Sequence, residues 1–184
     1  MSRVRITVVV AVAAWILAGW TLIGARAQAT ADTSAAPTAS AELKNQKGEP
    51  VGKAELTDTP DGVLVHLTVS GLPPGVHAFH IHEAGKCDPP DFKTAGGHFN
   101  PGMKQHGFMQ EKGPHAGDLP NIHVPASGNL EIEALARGVT LQAGPNSLFD
   151  ADGSALVIHA GPDDYRTDPA GNAGARLACG IVSK

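Results

Sequence analysis

Apolar and polar side chains alternate along this chain in short stretches with a period of two. From Gly62 to Val69 the apolar residues Val63, Val65, Leu67 and Val69 share one parity, the mark of a strand with one buried face. Further strands are predicted at 51–56, 129–135, 155–159 and 176–182. Val76 to His82 reads as another, with Val76, Ala78, His80 and His82 on one side and His77, Phe79 and Ile81 on the other, so that His80 and His82 project together. Turns at Asp61-Gly62, Ser127-Gly128 and Asp152-Gly153 separate several of these strands. Past residue 29 no stretch carries the period of an amphipathic helix. The pattern predicts an all-β fold, an antiparallel sandwich or flattened barrel. Residues 83–120 are too interrupted by glycine and proline to form sheet and read as one long functional loop.

The first residues belong to targeting rather than to the fold. Arg3 and Arg5 precede an apolar run over 6–25, and Ala27-Gln28-Ala29 has the small-x-small form that a signal peptidase accepts. A signal peptide over 1–29, cleaved after Ala29, is expected; the run is also long enough to cross a bilayer, so the alternative is an uncleaved anchor, the one route to a membrane. Residues 30–41 are small and polar and read as a flexible tether, leaving 42–184 as one domain. Without Arg3, Arg5 and Arg26 the 14 basic residues become 11 against 18 acidic ones, a balance of −7. Such a chain has no electrostatic reason to bind nucleic acid or an anionic membrane surface.

Candidate chemistry is concentrated in one region. His80, His82, His98, His106, His115 and Asp118 lie within one segment, with His159 beyond it. Imidazoles this dense suit copper or zinc, whereas magnesium and calcium sites are built from oxygen ligands. His66 and His123, taken singly, read as ordinary surface or core residues. His98, His106, His115 and Asp118 are spaced 8, 9 and 3 apart, and on a loop they can converge as a closed tetrahedral zinc shell. His80, His82 and His159 would form a second cluster, one ligand short of the square arrangement Cu(II) favours. An imidazole has two ring nitrogens, so a loop histidine between the clusters could serve both; spacing does not say which. Cys87 and Cys179 are the only cysteines, and in an exported chain an isolated pair is most simply a disulfide.

The segments VHAFHIHEAGKC, AGGHFNPG, HAGDLPNI, LVIHAGPDD and GNAGARLACGIV, in this order, resemble the copper/zinc superoxide dismutases of the bacterial exported type, over about Gly48 to Val182. The resemblance implies an immunoglobulin-like Greek-key sandwich or flattened barrel with long metal-binding and electrostatic loops; this family is itself a standing example of that architecture and of electrostatic steering. It implies His80, His82 and His159 as ligands of copper alone, His98 as the imidazolate bridge between copper and zinc, and His106, His115 and Asp118 as the remaining zinc ligands. Asp163 resembles the carboxylate linking a copper ligand to a zinc ligand, Arg176 the arginine that attracts the anion, and Cys87 with Cys179 the family's disulfide. The implied reaction is dismutation of superoxide to dioxygen and hydrogen peroxide, with His98 as a proton donor. A homodimer is the expected assembly, although the family also includes monomers.

Two departures from the animal enzymes stand out. Cys87 lies eleven residues before His98, and the segment from His159 to Arg176 is short, with Pro169 where a steering lysine is expected and Arg166 as its candidate replacement. The rival functions are a non-catalytic copper or zinc binding module, for which Met103 and Met109 speak, and a structural or adhesion sandwich.

Overall fold

The computed structural model describes residues 35–184, so the expected signal peptide and the first residues of the tether lie outside the described part. The chain enters the sheet earlier than its sequence suggests. Thr38–Asn45 is strand β1, which removes 38–41 from the tether. The reason is pairing: β1 lies antiparallel to β2 (Pro50–Thr59) from Thr38↔Thr57 onward, and its small inward residues Ala39, Ala41 and Leu43 are buried. A register shift between Leu43 and Lys44 takes up an extra residue in β2.

β3 (Gly62–Val69) continues the meander, and all four of its odd-numbered apolar residues are buried. β7 (Leu130–Ala136) covers its other edge. The far half of the sheet is built from β5 (Phe79–His82), β8 (Ala155–His159) and β9 (Arg176–Ile181). The order is β5-β8-β9-β1-β2-β3-β7, with every pairing antiparallel. This is the curled, Greek-key-like all-β arrangement expected.

The strand predicted over 76–82 is two strands. β4 (Gly75–His77) pairs with β6 (Ile122–Val124), an element not predicted, while β5 pairs with β8. The switch falls at Ala78, whose N–H donates to the Gly161 carbonyl at 2.9 Å and whose carbonyl accepts the His159 N–H at 2.9 Å. A strand that changes partner in this way turns a corner between sheets. Beyond it, β5 has two buried faces. Phe79 and Ile81 enter the main core with Leu43, Leu56, Leu67 and Ile158, all with no exposed surface. His80 and His82 face the other way and are buried by the loop over 83–120. A disulfide between Cys87 and Cys179 ties that loop to β9, beside a small cluster of Phe92, Ala95, Ala155 and Val157.

Candidate metal centre

Backbone pairing places the first ligand atoms. His80 and His82 stand on β5, His159 ends the neighbouring β8, and two isolated bridges, His80↔Asp118 and His82↔His98, dock the long loop onto the same strand. Close packing makes this docking possible at Gly117, where a Cβ would collide with the Ile81 carbonyl.

The hydrogen bonds then fix which ring nitrogens are bare. The His82 Nδ1–H donates to the Gly96 carbonyl at 3.0 Å, and the His80 Nε2–H to Asp163 Oδ2 at 2.9 Å. The His159 Nδ1–H points at the Gly174 carbonyl at 3.4 Å, and the His98 Nδ1–H at Asp118 Oδ1 at 2.8 Å. Since the nitrogen facing an oxygen acceptor must carry the hydrogen, the other nitrogen of each ring presents a lone pair. Two of these, His80 Nδ1 and His98 Nε2, are buried with no partner at all. The other two, His82 Nε2 and His159 Nε2, face each other at 3.3 Å. Four lone pairs directed together are unfavourable unless a cation lies among them. The four residues form a buried group whose ligand atoms lie within 4.8 Å of one another.

A second buried group shares His98 with the first. Its members are His98, His106, His115 and Asp118. Their Nδ1 atoms lie 2.8, 3.1 and 3.3 Å from the single oxygen Asp118 Oδ1. Asp118 Oδ2 is turned by two main-chain donors, Gly107 N–H at 2.8 Å and His115 N–H at 3.0 Å. Three imidazoles and a carboxylate suit zinc, and the pure imidazole set suits copper. Asp163 joins the two groups, its Oδ2 accepting from His80 Nε2 and its Oδ1 from His106 Nε2, each at 2.9 Å.

Electrostatics match this division. Burial pushes His98 down to about 4 and His159 to about 3, and it lowers His82 well below its ordinary value, so these rings are neutral, as metal binding requires. For His106 burial acts in the same downward direction, but the bonds to Asp118 and Asp163 outweigh it and raise the ring to about 9. Asp118 and Asp163 are held well below the usual carboxylate range; burial opposes this, and their hydrogen bonds to the imidazoles prevail.

The pH dependence of the chelator-treated protein follows. Protons bind the unfolded chain before they bind His98 and His159, so the stability these rings allow is complete above about 6.5 and is lost as pH falls toward about 4 and about 3. His106 has the opposite sign, its contribution being complete below 6.5 and lost as pH rises through about 9. Thermal melting of the metal-stripped protein should therefore weaken from pH 7 to 4.5, and a flat profile there would contradict these assignments.

Above the clusters opens a cleft lined by His82, His98, His159 and Arg176. The Arg176 guanidinium is held by the Phe92 and Gly96 carbonyls, each accepting at 2.6 Å, which leaves its other N–H groups for an anion. Gly96 thus orients both Arg176 and His82. At the rim the cation is Lys104, whereas Arg166, the expected replacement for the missing lysine, does not line the cleft. Three residues that the ligand pattern does not single out also serve the site. Asn121 and Tyr165 bind Asp163, and at Gly171 (φ 63°) a Cβ would collide with the Asp163 carboxylate and lie 2.7 Å from His106 Nε2. Asn121 stands inside the HAGDLPNI segment and Gly171 opens GNAGARLACGIV, whereas Tyr165 falls just past LVIHAGPDD.

Residues 51–182 match the family described as copper/zinc superoxide dismutase (SODC). The chain belongs to this family. Among relatives of this dismutase-family chain, copper-zinc superoxide dismutase 1 of Aquifex aeolicus is 61% identical over 77% of this chain and 85% of the relative. A superoxide dismutase-like protein of Bacillus subtilis is 45% identical over 77% of this chain and 74% of its own length. A crystal structure of a SOD-like protein from Bacillus subtilis superimposes with a TM-score of 0.75 at 42% identity, covering 77% of this chain and 96% of that one. The copper/zinc superoxide dismutase from Brucella abortus gives a TM-score of 0.64 at 28% identity, covering 79% and 99%. The family is one of oxidoreductases, and the two buried clusters give this member the divalent-metal ligand sets of such an enzyme.

Proposed function

We propose that the chain catalyses the dismutation of superoxide at a copper ion held by His80, His82, His98 and His159, with a structural zinc ion held by His98, His106, His115 and Asp118. The observation that carries this reading is the convergence of four bare ring nitrogens beneath a cleft whose wall holds a fixed arginine. The chemistry copper supplies when bound is one-electron exchange: one superoxide is oxidised to dioxygen, and a second is reduced and leaves as hydrogen peroxide with two protons. Zinc, without redox chemistry, would order the loop.

The residues do the rest. Arg176 binds and orients the small anion, and His82, tied to the same Gly96 carbonyl, keeps its ring in register with that arginine. Asp163 fixes the His80 tautomer, so that Nδ1 is the donor atom. His98 belongs to both groups and would help hold both ions, and its Nε2, free of any protein partner, is where this ring could hold a proton for the departing peroxide. Lys104 at the rim offsets the carboxylates of Glu83 and Asp168, which line the same cleft.

Metal content and superoxide decay measured on one purified sample test the proposal. A sample loaded with both metals that fails to accelerate the decay would leave a metal-binding module instead. Arg176→Ala should keep both metals and slow the second-order rate constant about tenfold, equivalent to about 1.4 kcal/mol of anion interaction in the transition state. The wild-type rate should fall as salt rises, and Lys104→Gln should flatten that dependence, because screening shortens the reach of a rim charge to about 8 Å at physiological ionic strength.

We also place the domain outside the cytoplasm, in a periplasm or secreted. The leader over 1–29 and a disulfide that needs an oxidising compartment support this. Intact mass of exported material should begin at Thr30; a mass retaining 1–29 would mean an anchored protein. A homodimer remains the expected assembly, with sedimentation at tens of micromolar as its test.

A further inference from the structure

Tyr165 is the only tyrosine of the chain, and its backbone stands in the left-handed region at φ 59°, a costly conformation for a bulky residue. A ring of hydrogen bonds holds it there. Its N–H donates to Asp163 Oδ1 at 2.6 Å, and its hydroxyl accepts the Asn121 N–H at 2.7 Å. The Asn121 side chain closes the ring, accepting the Asp163 N–H at 2.8 Å and donating to the Asp163 carbonyl at 2.9 Å. The same tyrosine grips the long loop. Its carbonyl accepts the Met109 N–H at 3.1 Å, its ring lies 5.4 Å from that of Phe108, and a Cβ at Gly107 would collide with its carbonyl. Three segments therefore meet at one residue: the segment carrying Asp163, the loop carrying His106, and the stretch leading from Asp118 into β6.

We propose that Tyr165 is a positioning residue that keeps Asp163 turned so that one oxygen serves His80 and the other His106, and thereby couples the copper and zinc clusters. The inference rests on the assignment of those clusters made above. A phenyl ring would fill the same space, but it offers no acceptor to the Asn121 N–H. Without that acceptor Asn121 is less firmly held, and Asn121 grips both main-chain polar groups of Asp163. The hydroxyl thus acts on the metal centre through two other residues.

The test compares Tyr165→Phe, Asn121→Ala, the double variant and Thr167→Val in copper- and zinc-loaded protein. Thr167→Val loosens the same segment elsewhere, by removing the 2.6 Å bond from Thr167 Oγ1 to Asp164 Oδ2. Two readouts besides activity are used, the Cu(II) electron paramagnetic resonance spectrum and the rate of zinc loss to a chelator. Tyr165→Phe should retain copper, shift the spectrum and lose zinc about three- to tenfold faster, the size expected for one lost hydrogen bond. The double variant should be no worse than the more affected single variant, since both act through one carboxylate. Thr167→Val should match wild type. A Tyr165→Phe protein with wild-type spectrum and zinc loss would overturn the proposal, as would a Thr167→Val protein changed to the same degree. A wild-type protein that binds neither metal at these ligands would overturn the underlying assignment as well, so the two failures are distinguishable.

Discussion

His159→Ala is expected to abolish copper binding and superoxide decay while leaving zinc in place, whereas His115→Ala should lose zinc and loosen the loop. The asymmetry follows from the shared residue. His159 belongs to the first buried group only and His115 to the second only, while His98 belongs to both. Removing His159 takes one of four imidazoles from a site that the loop does not need for its own closure. Removing His115 takes one of the three imidazoles arranged around Asp118 Oδ1 and leaves the second group with only two imidazoles and the carboxylate. Metal analysis of the two variants, with activity measured alongside, decides the matter. If His159→Ala lost zinc and kept copper, the allocation of the clusters would have to be reversed.

The second large effect concerns the disulfide. Replacing Cys87 and Cys179 by serine opens a connection between residues 92 apart in sequence. In the chain-entropy treatment, whose mechanism is disputed, a closure of that length is worth about 4–5 kcal/mol, a large part of a small domain's stability. The functional loss should exceed the loss of stability. Phe92 and Gly96, whose carbonyls hold Arg176, lie on the loop that the disulfide ties to β9, so the guanidinium proposed to bind the anion should lose its orientation even in molecules that remain folded. Denaturant unfolding of the double variant should show a lower midpoint, and its rate constant per bound copper should fall at temperatures well below melting. An unchanged rate per copper would show that Arg176 is positioned without the disulfide.

The fold was legible where side chains are large enough to advertise a buried face. β3 declares itself through Val63, Val65, Leu67 and Val69. β1 does not, because Ala39 and Ala41 carry almost the same signal in a linker as in a core, and only pairing with β2 distinguishes them. The break at Ala78 is silent as well, since alternation of side chains continues through a change of hydrogen-bond partner. β6 spans three residues, too few to show a period. The residues of the two buried groups are legible because metal chemistry favours a few residue types, and a cluster of histidines has few other uses. Apart from Asp163 and Asn121, the residues around them are harder to read. Gly171 acts by lacking a Cβ, Gly96 through its carbonyl, and Tyr165 through its main chain and one hydroxyl, none of which leaves a mark in composition or spacing. Lys104 is silent for a different reason: nothing local says that residue 104 returns to the cleft while Arg166 stays away from it.

β1 is held between β2, its immediate successor, and β9, the last of the described strands, through Lys44↔Cys179 and Asn45↔Ala178. The β1-β2-β3 meander needs only strands adjacent in sequence, but this seam must wait for β9. His80 and His82 likewise wait for β8 to bring His159, and Arg176 comes later still. The full set of four imidazoles therefore exists only once β8 has paired with β5, and not gradually as the earlier strands form. Long-range closure of this kind is slow, so the histidine cluster is completed later than the local meander that supports it.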